Sequence, residues 1–290
     1  MNQPGTVCVL DDFGTLRFSG ADAEKFLQGQ LSNDVSALPP AALLRAGLHN
    51  PQGRTLALLW LIAADGGDIL AVLPQQLLAM VATQLRRYVL RARLTISDAS
   101  AQYRICGLAS PEACPAAAGR RIGYGAREQQ RMLLLQSALE APPPGPTMAR
   151  DQWRGLDIAA GLAQVYGATS GQFVAQMLNL DCIDAISFTK GCYTGQEVIA
   201  RAHYRGRIKR RLQRFVSDAV LRLAAGDAGR LDDGRSFRVV EAMQQADGRC
   251  EFLAVAGLPG AAEEADEGGG QPPAQGLRYS ALPLPYALPE

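Results

Sequence analysis

The apolar pattern changes character at about Leu212, and this change constrains the fold more than any other feature. Before it, short apolar segments alternate with stretches whose apolar residues recur every three to four positions; beyond it the helical recurrence is gone. Val7 to Leu10 and Gly14 to Phe18 flank the turn Asp11-Asp12. Ala23, Phe26, Leu27 and Leu31 then follow at helical spacing behind an S-x-x-D capping pattern at Ser19 and Asp22. Thr55 to Ala63 and Ile69 to Leu73 read as strands across a turn-rich link. Pro74 is expected to open a helix with Leu77, Leu78, Val81, Leu85, Tyr88 and Val89 on one face. Tyr103 to Leu108 and Arg131 to Gln136 are further strands, so the first part is a mixed α+β unit rather than a bundle. Leu212 to Val216, Phe237 to Val240 and Glu251 to Ala256 read as strands of a small β-barrel or sandwich. Gly260 to Gly276, acidic and rich in Gly and Pro, is expected to be a flexible loop.

A chain of 290 residues has room for about two domains at roughly 150 residues each. Its 48% hydrophobic and 20% charged fractions exclude a collagen, a disulfide mini-protein and a wholly disordered chain. A net charge of +1 excludes a polyanion binder acting through overall charge. The longest apolar run, Leu56 to Ala64, is about half a membrane span, so no membrane partner is expected. Met1 to Thr6 carries neither a basic segment nor a hydrophobic region, which makes the cytoplasm the expected location. The cysteines at 8, 106, 114, 182, 192 and 250 form no C-x-x-C pair, and the only histidines are His49 and His203. No structural metal site is therefore expected, and the thiols are expected to be reduced.

The segment Lys190-Gly191-Cys192-Tyr193-Thr194-Gly195-Gln196-Glu197 carries the strongest chemical signal. Lysine is scarce, with Lys25, Lys190 and Lys209 standing against 26 arginines, so Lys190 inside a motif is not filler. Thr194 and Glu197 make a T-x-x-E capping box before Val198 and Ile199, which predicts a helix from Thr194. Cys192 then stands two residues before the N-cap, where unpaired N–H groups and the helix dipole favour a thiolate. Lys190, Arg201 and Arg205 add positive charge, and Gly191 and Gly195 permit tight backbone geometry on either side. Two readings stand: a reactive, partly exposed thiol, or a buried structural cysteine. Glu197 is likewise a helix cap or a catalytic acid. His203 is the one histidine near enough in sequence to serve as a base, which leaves a Cys–His hydrolase as a weaker alternative.

This segment resembles the K-G-C-Y-x-G-Q-E signature of the YgfZ family, bacterial relatives of a mitochondrial iron–sulfur assembly factor. Gly20 to Gln30, Ser170-Gly171-Gln172-Phe173, Asn179-Leu180, Ser187-Phe188-Thr189 and Leu282 to Tyr286 are similar to it as well, so the resemblance spans nearly the whole chain. It implies an α+β fold of the aminomethyltransferase kind. Residues 1–211 would form a ring of mixed α/β subdomains around a central cavity, the second subdomain covering roughly 35–100. Residues 212–290 would form a C-terminal antiparallel β-barrel. The resemblance also implies a tetrahydrofolate-binding protein that supports assembly or repair of iron–sulfur clusters. Its client proteins would include tRNA-modifying enzymes, with Cys192 tied to activity and no conventional catalysis required. Phe13 and Trp153 match positions that face folate in the family, and Gln172 and Arg201 are further candidates for holding it.

Two departures from the resemblance matter. Aminomethyltransferases carry adjacent aspartates after a glycine turn, whereas Gly53-Arg54-Thr55-Leu56 is followed here by Ala57 and Leu58. A folate-dependent one-carbon transferase is therefore the alternative reading rather than the leading one. The related E-A-G pattern that holds the pterin edge reads Ala159-Ala160-Gly161, leaving Asp157 or Gln172 to supply that contact. Finally, Arg201 to Arg214 holds seven basic residues in fourteen. A solvated face, a clamp for a polyglutamate tail and a nucleic-acid patch compete for it. Direct nucleic-acid binding is least favoured, because only Tyr204 and Phe215 offer aromatic surface there.

Overall fold

Three antiparallel sheets, each carrying residues distant in sequence, organise the molecule. A computed structural model describes residues 5–124, 131–206, 208–260 and 278–289. In chain order the first elements are β1 (Thr6–Val9), β2 (Phe13–Ser19), α1 (Ala23–Gln30), β3 (Leu44–His49), β4 (Thr55–Ala63) and β5 (Ile69–Pro74). Next come α2 (Leu78–Arg86), β6 (Thr95–Asp98), β7 (Tyr103–Ala109), β8 (Arg120–Tyr124), β9 (Arg131–Ser137), α3 (Arg150–Ala159) and α4 (Gln196–Tyr204). The last are β10 (Arg210–Val220), β11 (Ala228–Arg230), β12 (Ser236–Gln244), β13 (Arg249–Gly257) and β14 (Tyr279–Leu282). The sheet orders are β1-β7-β9-β8, β3-β4-β5-β2-β6 and β11-β12-β13-β10-β14.

β1 and β2 are near neighbours in sequence yet belong to different sheets, β1 pairing with β7 and β2 with β5 and β6. The Asp11-Asp12 turn is therefore a crossing between sheets and not a hairpin. The apolar run of β4 is explained by burial on both faces, and every residue of β5 is buried too. One large cluster of buried side chains joins Phe18 and Leu61 of the second sheet, Leu133 of the first, and Leu212, Val240 and Leu253 of the third. A second cluster, built on Phe215, Phe237 and Phe252, covers the other face of the third sheet.

Several expectations are corrected. The third sheet has open edges at β11 and β14 among the described residues, where a closed barrel was expected. Closure requires the two edge strands to pair with each other, and no pairing joins β11 to β14 among the described residues. Pro74 ends β5 opposite Phe13, and the N–H of Gln75 donates to the Asp12 carbonyl, so α2 starts at Leu78 after a short 3-10 turn. Tyr88 and Val89 fall beyond that helix. Asp22 does not cap α1; its carboxylate accepts the Arg93 backbone N–H at 2.7 Å. α4 starts at Gln196 rather than Thr194, because Gly195 takes the N-cap position at φ 82° with no side-chain capping bond. Past Gly260, the expected flexible loop lies outside the described residues. No helix among the described residues is long and apolar enough to cross a membrane.

Candidate functional site

All three sheets contribute to one cavity of about 430 Å³, part of it continuous with solvent. β2 supplies Phe13, β3 Arg45, β4 Trp60 and β8 Tyr124; α3 supplies Trp153, Arg154 and Asp157, and β12 supplies Glu241. The sheet crossing at Asp11-Asp12 delivers Asp12 and Phe13 to its rim. Four rings form a continuous wall. Phe13 stacks on Trp60 at 4.5 Å, Trp60 meets Tyr124 edge-on at 5.0 Å, and Tyr124 lies 5.5 Å from Trp153. The Arg45 guanidinium sits 4.8 Å over Tyr124, and that of Arg131 sits 5.1 Å over Tyr124 and 4.9 Å over Trp153. Gly107 of β7 makes room for Trp153, since a Cβ there would meet the indole at 2.6 Å.

The acids of the cavity are held in different ways. Asp157 accepts from Arg131 at 2.8 Å and from the Tyr124 hydroxyl at 3.0 Å, while burial raises its pKa. Asp12 is paired with Arg154 at 2.7 Å. Glu241 accepts a short bond from the Tyr166 hydroxyl, and burial pushes its pKa up to about 7. Three lining residues carry buried N–H groups with no partner among the described residues: Arg45 Nη2, Trp153 Nε1 and Gln164 Nε2. Buried polar groups without partners cost stability. Aromatic walls with free donors therefore fit a flat, polar ring.

The Lys190–Glu197 segment is a separate feature. The buried Lys190 ammonium donates to the carbonyls of Gln28 and Leu31, tying the motif to the end of α1, and burial lowers its pKa to about 8. It also lies 5.0 Å over the ring of the buried Tyr193. Gly195 packs on the turn before β4, where a Cβ would meet the Asn50 carbonyl oxygen at 2.5 Å. Gly191 has open space around it. Cys192 is exposed with a free thiol, whereas Cys8, Cys106, Cys114 and Cys250 are buried and Cys182 is half-buried. Gln196 is half-buried and Glu197 exposed, and neither Thr194 nor Glu197 makes the expected cap.

Comparison with known proteins decides the family. "tRNA-modifying protein YgfZ" of Klebsiella pneumoniae (strain 342) is 32% identical over 274 residues, covering 85% of this chain and 83% of that one. The protein of the same name from Serratia proteamaculans (strain 568) is 31% identical over 277 residues, covering 84% and 82%. The chain belongs to the YgfZ family. No protein-family model matches it. The crystal structure of glycine cleavage system aminomethyltransferase T from Bartonella henselae superimposes with a TM-score of 0.60, covering 88% of this chain and 79% of that one. At 10% identity the likeness is one of fold: mixed α/β with antiparallel sheets.

Within this YgfZ-family chain, Phe13 and Trp153 meet in the cavity, while Gln172 and Arg201 do not line it. Gln172 is exposed and its carbonyl accepts from Arg54 at 2.6 Å; Arg201 is exposed on α4. Of the two polar substitutes considered for Ala159, only Asp157 reaches the cavity. His203 stacks on Phe188 at 3.8 Å, and no hydrogen bond joins it to Cys192 among the described residues. Ala57 and Leu58 are fully buried in β4. The basic run is not one face. Arg211 is buried against Asp181 at 3.0 Å, Arg214 pairs with Glu251 at 2.7 Å, and Arg205 is exposed. Sequence reasoning missed Arg45, Trp60, Tyr124, Arg131, Tyr166 and Glu241. Scattered over several elements, they leave no local spacing to find.

Proposed function

We propose that this chain binds tetrahydrofolate in the aromatic cavity and supports tRNA modification by maintaining iron–sulfur client enzymes, with Cys192 as the working thiol. The observation that carries the folate part is the wall Phe13–Trp60–Tyr124–Trp153 facing free, buried donors on Trp153, Gln164 and Arg45. Membership of a family whose curated members are named tRNA-modifying proteins supports the second part. In this reading the ring wall packs against the pterin and excludes water there. Folate, when bound, supplies a reduced pterin that can carry one-carbon units or electrons.

Cys192 stands exposed beside the start of α4, reachable by a partner. One cysteine cannot hold a cluster alone, so ligation or sulfur exchange there is shared with the client. Ala57 and Leu58, buried and apolar, disfavour the one-carbon transferase alternative. Calorimetric titration with tetrahydrofolate tests the cavity: wild type binds, and Trp153→Ala binds more weakly. Absence of wild-type binding would overturn the folate reading. Complementation tests the thiol. Cys192→Ser is expected to leave client iron–sulfur activity low in cells lacking the native protein, and full restoration would remove Cys192 from the mechanism.

A further inference from the structure

Glu241 is placed by an irregularity in its strand. Phe237 and Val239 of β12 face the outer cluster with Phe215 and Phe252, so simple alternation would send residue 241 to that side too. The pairing of β12 with β13 instead slips between Val239 and Glu241, where Val239 opposes Ala254 and Glu241 opposes Leu253. The extra residue, Val240, joins the inner core, and the side chain of Glu241 turns into the cavity wall. Bulges of this kind re-aim side chains beside functional sites.

The carboxylate at that position has capacity for further donors. Each other carboxylate of the cavity interior has a cation: Asp12 has Arg154 at 2.7 Å, and Asp157 has Arg131 at 2.8 Å. Glu241 is 6% exposed and forms no ion pair among the described residues; the Tyr166 hydroxyl is its one side-chain donor. A buried carboxylate accepts several hydrogen bonds, and two parallel N–H groups suit its geometry best.

We propose that Glu241 holds the amino edge of the bound pterin, its carboxylate accepting from the exocyclic amino group and the adjacent ring N–H. The assignment rests on the folate reading above and makes Glu241 the residue that distinguishes a 2-amino-4-oxo ring from one lacking the amino group. The free N–H groups of Trp153, Gln164 and Arg45 then meet acceptors elsewhere on the ring. Tyr166, Arg154, Asp157 and, through Arg154, Asp12 are the charged and titratable groups around Glu241. Burial and Asp157 raise its pKa to about 7, while Tyr166, Arg154 and the Ala242 backbone N–H oppose the rise. Pairing with N–H donors favours the ionised form, so binding near neutrality releases a proton.

The experiment is calorimetric titration of the full chain with tetrahydrofolate and with its 2-desamino analogue, in buffers of different ionisation heat. Glu241→Gln is expected to lower tetrahydrofolate affinity roughly 10- to 100-fold. It should lower the analogue's affinity by a smaller factor, because that ligand keeps only the ring N–H, and it should abolish the buffer-dependent heat. Tyr166→Phe, which keeps the carboxylate, should still discriminate between the two ligands. Glu241→Gln binding tetrahydrofolate as wild type does would overturn the assignment alone, as would equal losses for both ligands. Wild type binding neither ligand would overturn the folate reading and this assignment together.

Discussion

Gly195 and Gly191 flank the same cysteine and are expected to behave differently. Gly195 has φ 82° and a Cβ there would sit 2.5 Å from the Asn50 carbonyl oxygen, so Gly195→Ala should cost about 1–3 kcal/mol. Gly191 has nothing within 4 Å of its Cβ position, so Gly191→Ala should stay within about 0.5 kcal/mol. Urea denaturation of the two variants checks the contrast. Glu241 carries a pH signature in the ligand-free protein. Its folded pKa of about 7 lies above the ordinary 4.5, so its contribution is fully present below about pH 4.5 and is lost as pH rises through 7. Glu241→Gln should therefore gain on wild type across that window, by on the order of 3 kcal/mol. Urea midpoints at about pH 4.5 and about pH 8 measure it; a pH-independent difference would mean that Glu241 is not buried as described.

At the scale of elements, the basic run around β10 separates into structural and solvent-facing parts. Arg211 binds both carboxylate oxygens of Asp181 at 3.0 Å and the Gln176 carbonyl at 3.1 Å, with its side chain almost fully buried. Arg211→Ala should cost about 3–5 kcal/mol, because it strands a buried carboxylate. Arg205→Ala, at an exposed position past α4, should change stability by less than about 0.5 kcal/mol. Chemical denaturation of both variants shows whether charge density or burial governs. In sequence the seven basic residues looked equivalent, since a run of like charge does not reveal which members a strand turns inward. The start of α4 departs from its local pattern in the same way: T-x-x-E is present, but Gly195, at φ 82° and packed against Asn50, takes the N-cap position.

At the scale of the whole molecule, the cavity wall is shared among three sheets, so a ligand there should stabilise the chain as one unit. Tetrahydrofolate at about 100 times its Kd should add about 2.7 kcal/mol to unfolding. Fluorescence and far-ultraviolet circular dichroism are expected to report the same shift. The only two tryptophans, Trp60 and Trp153, both lie in that wall, so emission reads the site directly. A shift in one probe without the other would mean that the sheets unfold separately.

Legible in the chain before folding are the strands around the long apolar runs, the loss of helical periodicity after Leu212, the family through its eight-residue signature, and two of the cavity rings. Periodicity and motif spacing are local, so they carry that much. Long-range pairing sets the rest: β1 and β2 part into different sheets, the third sheet stays open among the described residues, and Gln172 and Arg201 stand outside the cavity. It alone assembled Arg45, Trp60, Tyr124 and Glu241 with Phe13 and Trp153. Those residues meet through long-range strand pairing and, for Glu241, through one bulged residue that reverses the side a strand presents. Neither leaves a trace in local sequence pattern.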